Sequence, residues 1–128
     1  MNKTNLENLM KFEMHVHIEG TIYPEFLIQK AKENNIKIDF DTPQEYYEDY
    51  KTRNTLQKFL MAYYGNMRVL CNEKDFFDLA FEHARRSSLQ NVKYSEVFFD
   101  PQPHLYRVIK FDDIVNGLYK GFQEAEKN

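Results

Sequence analysis

A single cysteine, Cys71, rules out an intrachain disulfide, so nothing in the sequence calls for an oxidising compartment. It sits near the end of an aromatic-rich helical pattern and reads as a small buried residue. No apolar run approaches the length of a membrane-spanning helix. The opening Met1-Asn2-Lys3-Thr4-Asn5-Leu6 lacks the apolar stretch of a secretory leader. Together these absences make a cytoplasmic location the expectation. No repeat and no low-complexity linker divides the chain, so residues 1–128 read as one stretch of a single domain. Neither sign of charge dominates: 17 basic residues face 20 acidic ones, a net of −3. That balance excludes the electrostatic footprint of a nucleic-acid or anionic-membrane binder. Arg85-Arg86 reads as a solvated helix face. The sequence sets no oligomeric state.

What the chain does have is apolar and aromatic material. Hydrophobic residues make up 42%, enough for a globular core, and nine Tyr with eleven Phe make any pocket aromatic-rich. Residues 12–18 read as a short strand. Pro24 suits the first turn of a helix that Asn34-Asn35 can stop. Thr42-Pro43-Gln44-Glu45 is a capping box, predicting a helix to about Tyr50. Leu56, Phe59, Leu60, Tyr63, Tyr64, Met67 and Leu70 recur at three and four residue steps, the mark of an amphipathic helix. Asn72 caps a further helix through Phe76, Leu79, Ala80, His83 and Ala84, and Tyr94 to Phe99 form a second strand closed by Asp100-Pro101. Asp112 is the expected cap of the last helix.

Strand, helices, strand, helix implies an α/β fold with parallel strands. About 75 residues separate the two strands, far more than an ordinary crossover, so helices are inserted after strand one. Two parallel strands do not make a stable sheet. The expectation is therefore the N-terminal part of a larger α/β enzyme, with a small helical domain carrying a two-strand ribbon as the competing reading.

The chemistry concentrates in Met14-His15-Val16-His17-Ile18-Glu19-Gly20. Strand side chains alternate, so His15 and His17 share one side, about 6–7 Å apart along the strand, where two imidazoles can grip one metal ion. The alternative is a pair of satisfied structural histidines. The position at a strand's C-terminal end, the Gly turn that follows, and Glu13 and Glu19 at the same parity favour the metal. A catalytic zinc site takes three or more protein ligands, so the site is incomplete within this chain. His83 reads as a helix-face residue, and His104 as a loop residue with a substrate-side or structural role. Tyr94, Glu96, Phe98 and Asp100 share one face of strand two, with Asp100 either a pocket residue or a turn-former before Pro101.

From Met14 through Thr21, and at Pro24-Glu25, the sequence resembles the N-terminal segment of the adenosine/adenine deaminase family. The likeness continues through Leu56-Gln57-Lys58-Phe59-Leu60, Tyr63-Tyr64, Asp75-Phe76-Phe77-Asp78-Leu79-Ala80 and Asn91-Val92-Lys93-Tyr94. Glu96-Val97-Phe98-Phe99-Asp100-Pro101-Gln102-Pro103-His104 is most similar to the adenine deaminase branch. The resemblance spans roughly Lys11 to Ala125 and implies a (β/α)8 TIM barrel of which this is an N-terminal fragment, with extra helices after strand 1. It implies hydrolytic deamination of adenine to hypoxanthine and ammonia in purine salvage, with one zinc ion (Zn2+) per complete subunit and a small-molecule purine as substrate. His15 and His17 would be the first two zinc ligands. His17, Glu19, Gly20, Phe59 and Asp100 would contact substrate, and Phe59 with Tyr63 would form an aromatic lid. Glu19 stands where the adenosine enzymes usually carry an Asp that reaches the ribose, a departure consistent with a free base. The remaining ligands, the proton donor and the base would lie beyond Asn128, so no catalytic residue is expected here. Open alternatives are an adenosine or N6-substituted adenine deaminase, an inactive truncated fragment, and a phosphoesterase or dihydroorotase-like hydrolase that also opens with H-x-H. The other zinc deaminase design, with Pro-Cys-x-x-Cys, is excluded because Cys71 stands alone.

Overall fold

The structure, a computed structural model, describes residues 2–127. A short helix α1 (Lys3–Asn8) leads into strand β1 (Lys11–His17), which ends in a 3-10 turn over Ile18–Thr21. Helices α2 (Pro24–Glu33), α3 (Pro43–Tyr50), α4 (Leu56–Met67) and α5 (Glu73–Leu89) follow. Then come strand β2 (Val92–Phe98), helix α6 (Pro101–Tyr106) and helix α7 (Phe111–Glu126). The two strands are parallel neighbours, as the element order requires.

Most helix starts obey local chemistry. The capping box at Thr42 forms with both of its bonds, and Thr55 and Asn72 cap α4 and α5 through their side chains. The last helix departs from expectation. Lys110 occupies the cap position of α7 without a side-chain bond, and Asp112 and Asp113 lie in the first turn, where acids complement the helix dipole. Three helices end on left-handed residues, Asn35, Asn91 and Val108. The amides of Asn35 and Ile36 bond back to Lys32 and Ala31, and those of Val108 and Ile109 to Leu105 and His104, the Schellman pattern.

The core lies on one side of the sheet. Ile18, Leu27, Val69, Leu70, Phe76, Leu79 and Ile114 are all buried there. Helices α5 and α7 pack backbone to backbone: a Cβ at Gly117 would collide with the Glu73 carbonyl oxygen and stand 2.7 Å from the Phe76 Cβ. A Cβ at Gly121 would meet the Phe77 carbonyl and, at 2.9 Å, the Ala80 Cβ. Helix α2 is riveted to α5 by Lys30, whose ammonium reaches Glu33 at 2.7 Å, Asp78 at 2.6 Å and Asp75 at 3.2 Å. The opposite face of the sheet is bare, and Phe12, Met14, Tyr94 and Phe98 are exposed on it.

Helix α4 forms where the amphipathic spacing predicts it, but most of its apolar stripe is not core. It stops at Met67, and only Met67 of its apolar stripe is buried; Leu56, Phe59 and Tyr64 are exposed. The stripe serves the open side of the molecule and not the core.

Candidate metal and substrate site

His15 and His17 project from the end of β1 onto the open face. Their Nε2 atoms are 3.2 Å apart. The His15 ring lies on Phe98 of β2, with centroids 4.6 Å apart and planes 30° apart. The two nitrogens either share one proton between them or turn both lone pairs toward one cation. Zinc–nitrogen bonds of about 2.0–2.1 Å would open an N–Zn–N angle of about 100° across that gap, close to tetrahedral. The donor pair therefore fits a zinc ion. Among the described residues no group of three or more His, Cys, Asp or Glu side chains is placed to hold a metal.

Glu13 does not join them, although it shares their parity in sequence. Phe12 and Glu13 pair with Tyr94 and Ser95, one residue further along β2 than the pairing of Lys11, Val16 and His17. The register slips before Phe12 and slips back between Glu13 and Val16. The second slip leaves Met14 and His15, adjacent in sequence, both exposed, while Glu13 and Val16 are half-buried. Glu13 thus reaches away from the histidines, to Ser95 at 3.1 Å and toward His83 of α5 at 3.7 Å.

Glu19 is also off the strand. It lies in the 3-10 turn, fully buried, and its Oε1 accepts the Asp100 backbone N–H at 2.9 Å and a bond from His104 Nε2 at 3.0 Å. The tautomer follows from the other side of the ring. Arg107 lies 2.8 Å from His104 Nδ1, and a guanidinium can only donate, so Nδ1 accepts and Nε2 carries the proton given to Glu19. Arg107 also donates to the Leu70 carbonyl at 3.0 Å. The Glu19 Oε2 is buried without a hydrogen-bond partner. His104 is consequently a helix residue of α6 inside the core, packed edge-on against Phe76, and not part of a loop. The sequence signal for it was Pro101 at a helix start with His104 and Arg107 three residues apart.

Asp100 follows the end of β2, and its Oδ2 accepts the Tyr63 hydroxyl at 2.9 Å. Burial, then the nearby Glu19 and Asp100 carboxylates, push the Tyr63 phenol well above its ordinary value, so it remains a donor. The Tyr63 ring stands edge-on to His17, with centroids 6.5 Å apart. Phe59 stacks on Tyr63 at 6.2 Å, one layer further out. A Cβ at Gly20 would come within 3.6 Å of the Tyr63 ring. The structure thus gathers His15, His17, Gly20, Tyr63 and Asp100 around one end of the sheet, with Glu19 beneath them and Phe59 at the rim. Phe98, which stacks on His15, belongs to the same group. His83 lies on the other side of the sheet.

The adenosine deaminase family model matches residues 10–128. The adenine deaminase of Vibrio parahaemolyticus is 39% identical over 122 residues, covering 95% of this chain and 36% of that protein. The adenine deaminase of Acinetobacter baylyi is 40% identical over 129 residues, covering 100% of this chain and 39% of its own length. Among solved structures, adenine deaminase from Arthrobacter aurescens superposes with a TM-score of 0.84 at 35% identity, over 91% of this chain and 35% of the other. An arabidopsis N6-mAMP deaminase superposes with a TM-score of 0.75 at 17% identity, over 95% of this chain and 36% of the other, and shares the fold. The chain spans a little over a third of the length of the curated relatives it matches.

Proposed function

The chain belongs to the adenosine deaminase family, and from that premise we propose that the protein carrying it hydrolyses adenine to hypoxanthine and ammonia. The observation that carries this reading is identity of about 40% to adenine deaminases along nearly the whole chain. In this reading the rest of a (β/α)8 barrel surrounds the bare face of the sheet, and the setting is cytoplasmic purine salvage.

His15 and His17 would hold a zinc ion together with donors outside these 128 residues. When bound, zinc acts as a Lewis acid that makes water a nucleophile toward the purine C6. The chain's own residues do the positioning. Phe98 holds the His15 ring by stacking. Tyr63 and Phe59 offer flat apolar surface to a flat base, and they exclude bulk water from that side. The missing side chain at Gly20 leaves room beside Tyr63. Tyr63 orients the Asp100 carboxylate, and Glu19 fixes the Asp100 backbone from below. His17, Gly20, Phe59 and Asp100 line the purine in this proposal, and Glu19 bounds the same pocket.

The test is turnover by the full-length protein loaded with zinc, with adenine and adenosine compared at equal concentration. Adenine preference is expected. Adenosine preference would overturn the substrate, and no ammonia release from either would overturn the reaction. His15→Ala should abolish both zinc retention and turnover.

A further inference from the structure

The paired slips in the β1–β2 register need something to hold them. A one-residue shift of pairing sends every later side chain to the other face, so a strand whose phase changes twice within seven residues has competing registers nearby. Beyond the second slip Val16 lies opposite Val97 and Ile18 is fully buried, which is the phase the slip has to deliver. Only Phe12 and Glu13 lie inside the shifted window, and Phe12 is exposed. Glu13 is the residue there with polar anchors.

We propose that Glu13 is a positioning residue for the metal-binding pair: held by Ser95 across the sheet and facing His83 of α5, it pins the register slip that separates it from His15 and turns His15 and His17 to the open face. The inference rests on the reading of those two histidines as metal ligands. Three observations carry it. Ser95 donates to Glu13 Oε2 at 3.1 Å, and these two residues are register partners within the shifted window. His83 Nε2 lies 3.7 Å from the same oxygen. That nitrogen is buried and has no hydrogen-bond partner, so the approach to Glu13 is its polar outlet. Both are on the helix side of the sheet, away from the ligands, so Glu13 acts on the metal only through the backbone between it and His15.

The experiment measures zinc affinity by competition with a chromogenic chelator, beside the melting temperature of the zinc-free protein, using full-length protein. Parent, Glu13→Ala, Glu13→Gln, Ser95→Ala and His15→Ala are compared. Glu13→Ala is expected to weaken zinc binding about tenfold, the scale of lost support behind a ligand. Glu13→Gln keeps an acceptor for Ser95 and should restore most of that affinity. Ser95→Ala should weaken binding in the same direction, and a protein carrying both Glu13→Ala and Ser95→Ala should be no worse than Glu13→Ala alone. A residue of purely structural value would lower the melting temperature and leave the affinity unchanged, and that result overturns the inference. If Glu13→Ala does not fold, Glu13→Gln and Ser95→Ala decide: parental affinity in Ser95→Ala, or no recovery in a folded Glu13→Gln, overturns it. If the parent binds zinc no better than His15→Ala, the ligand reading itself fails, and that failure is recognised separately.

Discussion

His83 places a weak base where its charged form is poorly solvated. Burial pushes its imidazole below the ordinary value, Arg86 adds to that, and Glu13 opposes it. With the folded value depressed, the contribution to stability is complete above the unfolded value of about 6.5 and is lost as pH falls through the folded value. The melting temperature should therefore fall between pH 7 and pH 5, and His83→Gln should lose less over the same interval. Equal pH dependence in the variant would contradict this. Lys30 presents the reverse case. Burial alone would lower its pKa, but the hydrogen bonds it donates to Asp78, Glu33 and Asp75 overcome that and raise it well above the usual lysine range. Its ammonium is then charged throughout physiological pH. Lys30→Met would strand the buried Asp75 beside a half-buried Asp78, at a cost of about 3–5 kcal/mol by urea unfolding. Neither burial was visible in the sequence. Lysine and histidine on a helix are ordinarily solvated, and only the packing of α2 on α5 and of α5 on β2 shows otherwise.

At the scale of elements, long periodic segments were legible and short ones were not. Strands β1 and β2 and helices α2, α3, α4, α5 and α7 announced themselves through caps or apolar spacing. Helices α1 and α6 have six residues each, too few to display a period, and the 3-10 turn has four. The register slips depend on a partner about 80 residues away and leave no local trace. The H-x-H pair was legible because period two alone fixes its geometry, whereas the carboxylates grouped with it by parity were moved elsewhere by the slip and the turn. The contact of α5 with α7 yields a sharp expectation. Gly117→Ala gains about 1 kcal/mol of helix propensity but drives a methyl into the α5 backbone. Overpacking of this kind costs about 1–3 kcal/mol, and a rigid carbonyl places it toward the upper end, so net destabilisation is expected in denaturant unfolding. A neutral or stabilised variant would mean that the helices separate easily.

For the molecule as a whole, large apolar side chains are exposed on several elements, Leu89, Tyr106, Val108 and Tyr119 among them, and two groups of them lie on the sheet and on α4. Phe12, Met14, Tyr94 and Phe98 are open on the sheet, and Leu56, Phe59, Met61 and Tyr64 are open on α4. Exposed patches rimmed by polar residues mark surfaces that other protein covers. Expressed alone, these 128 residues are expected to self-associate and to hydrolyse no adenine when supplied with zinc. A monomer in sedimentation with measurable turnover would refute both expectations. The α/β class and parallel strands could be read from element order. The barrel entered through family resemblance, because two strands show neither closure nor curvature.

The pairing of β1 with β2 also has a dimension in time. Synthesis at about 5–20 residues per second separates His17 from its partner Phe98 by about 4–16 s. Hairpins form in microseconds, so local strand pairs face no such interval. The strand bearing His15 and His17 precedes its partner by the whole of α2 through α5, and it spends seconds without that neighbour while those helices emerge. A segment so placed is exposed to binding by chaperones and by other nascent strands, and any delay within α2–α5 lengthens that exposure directly.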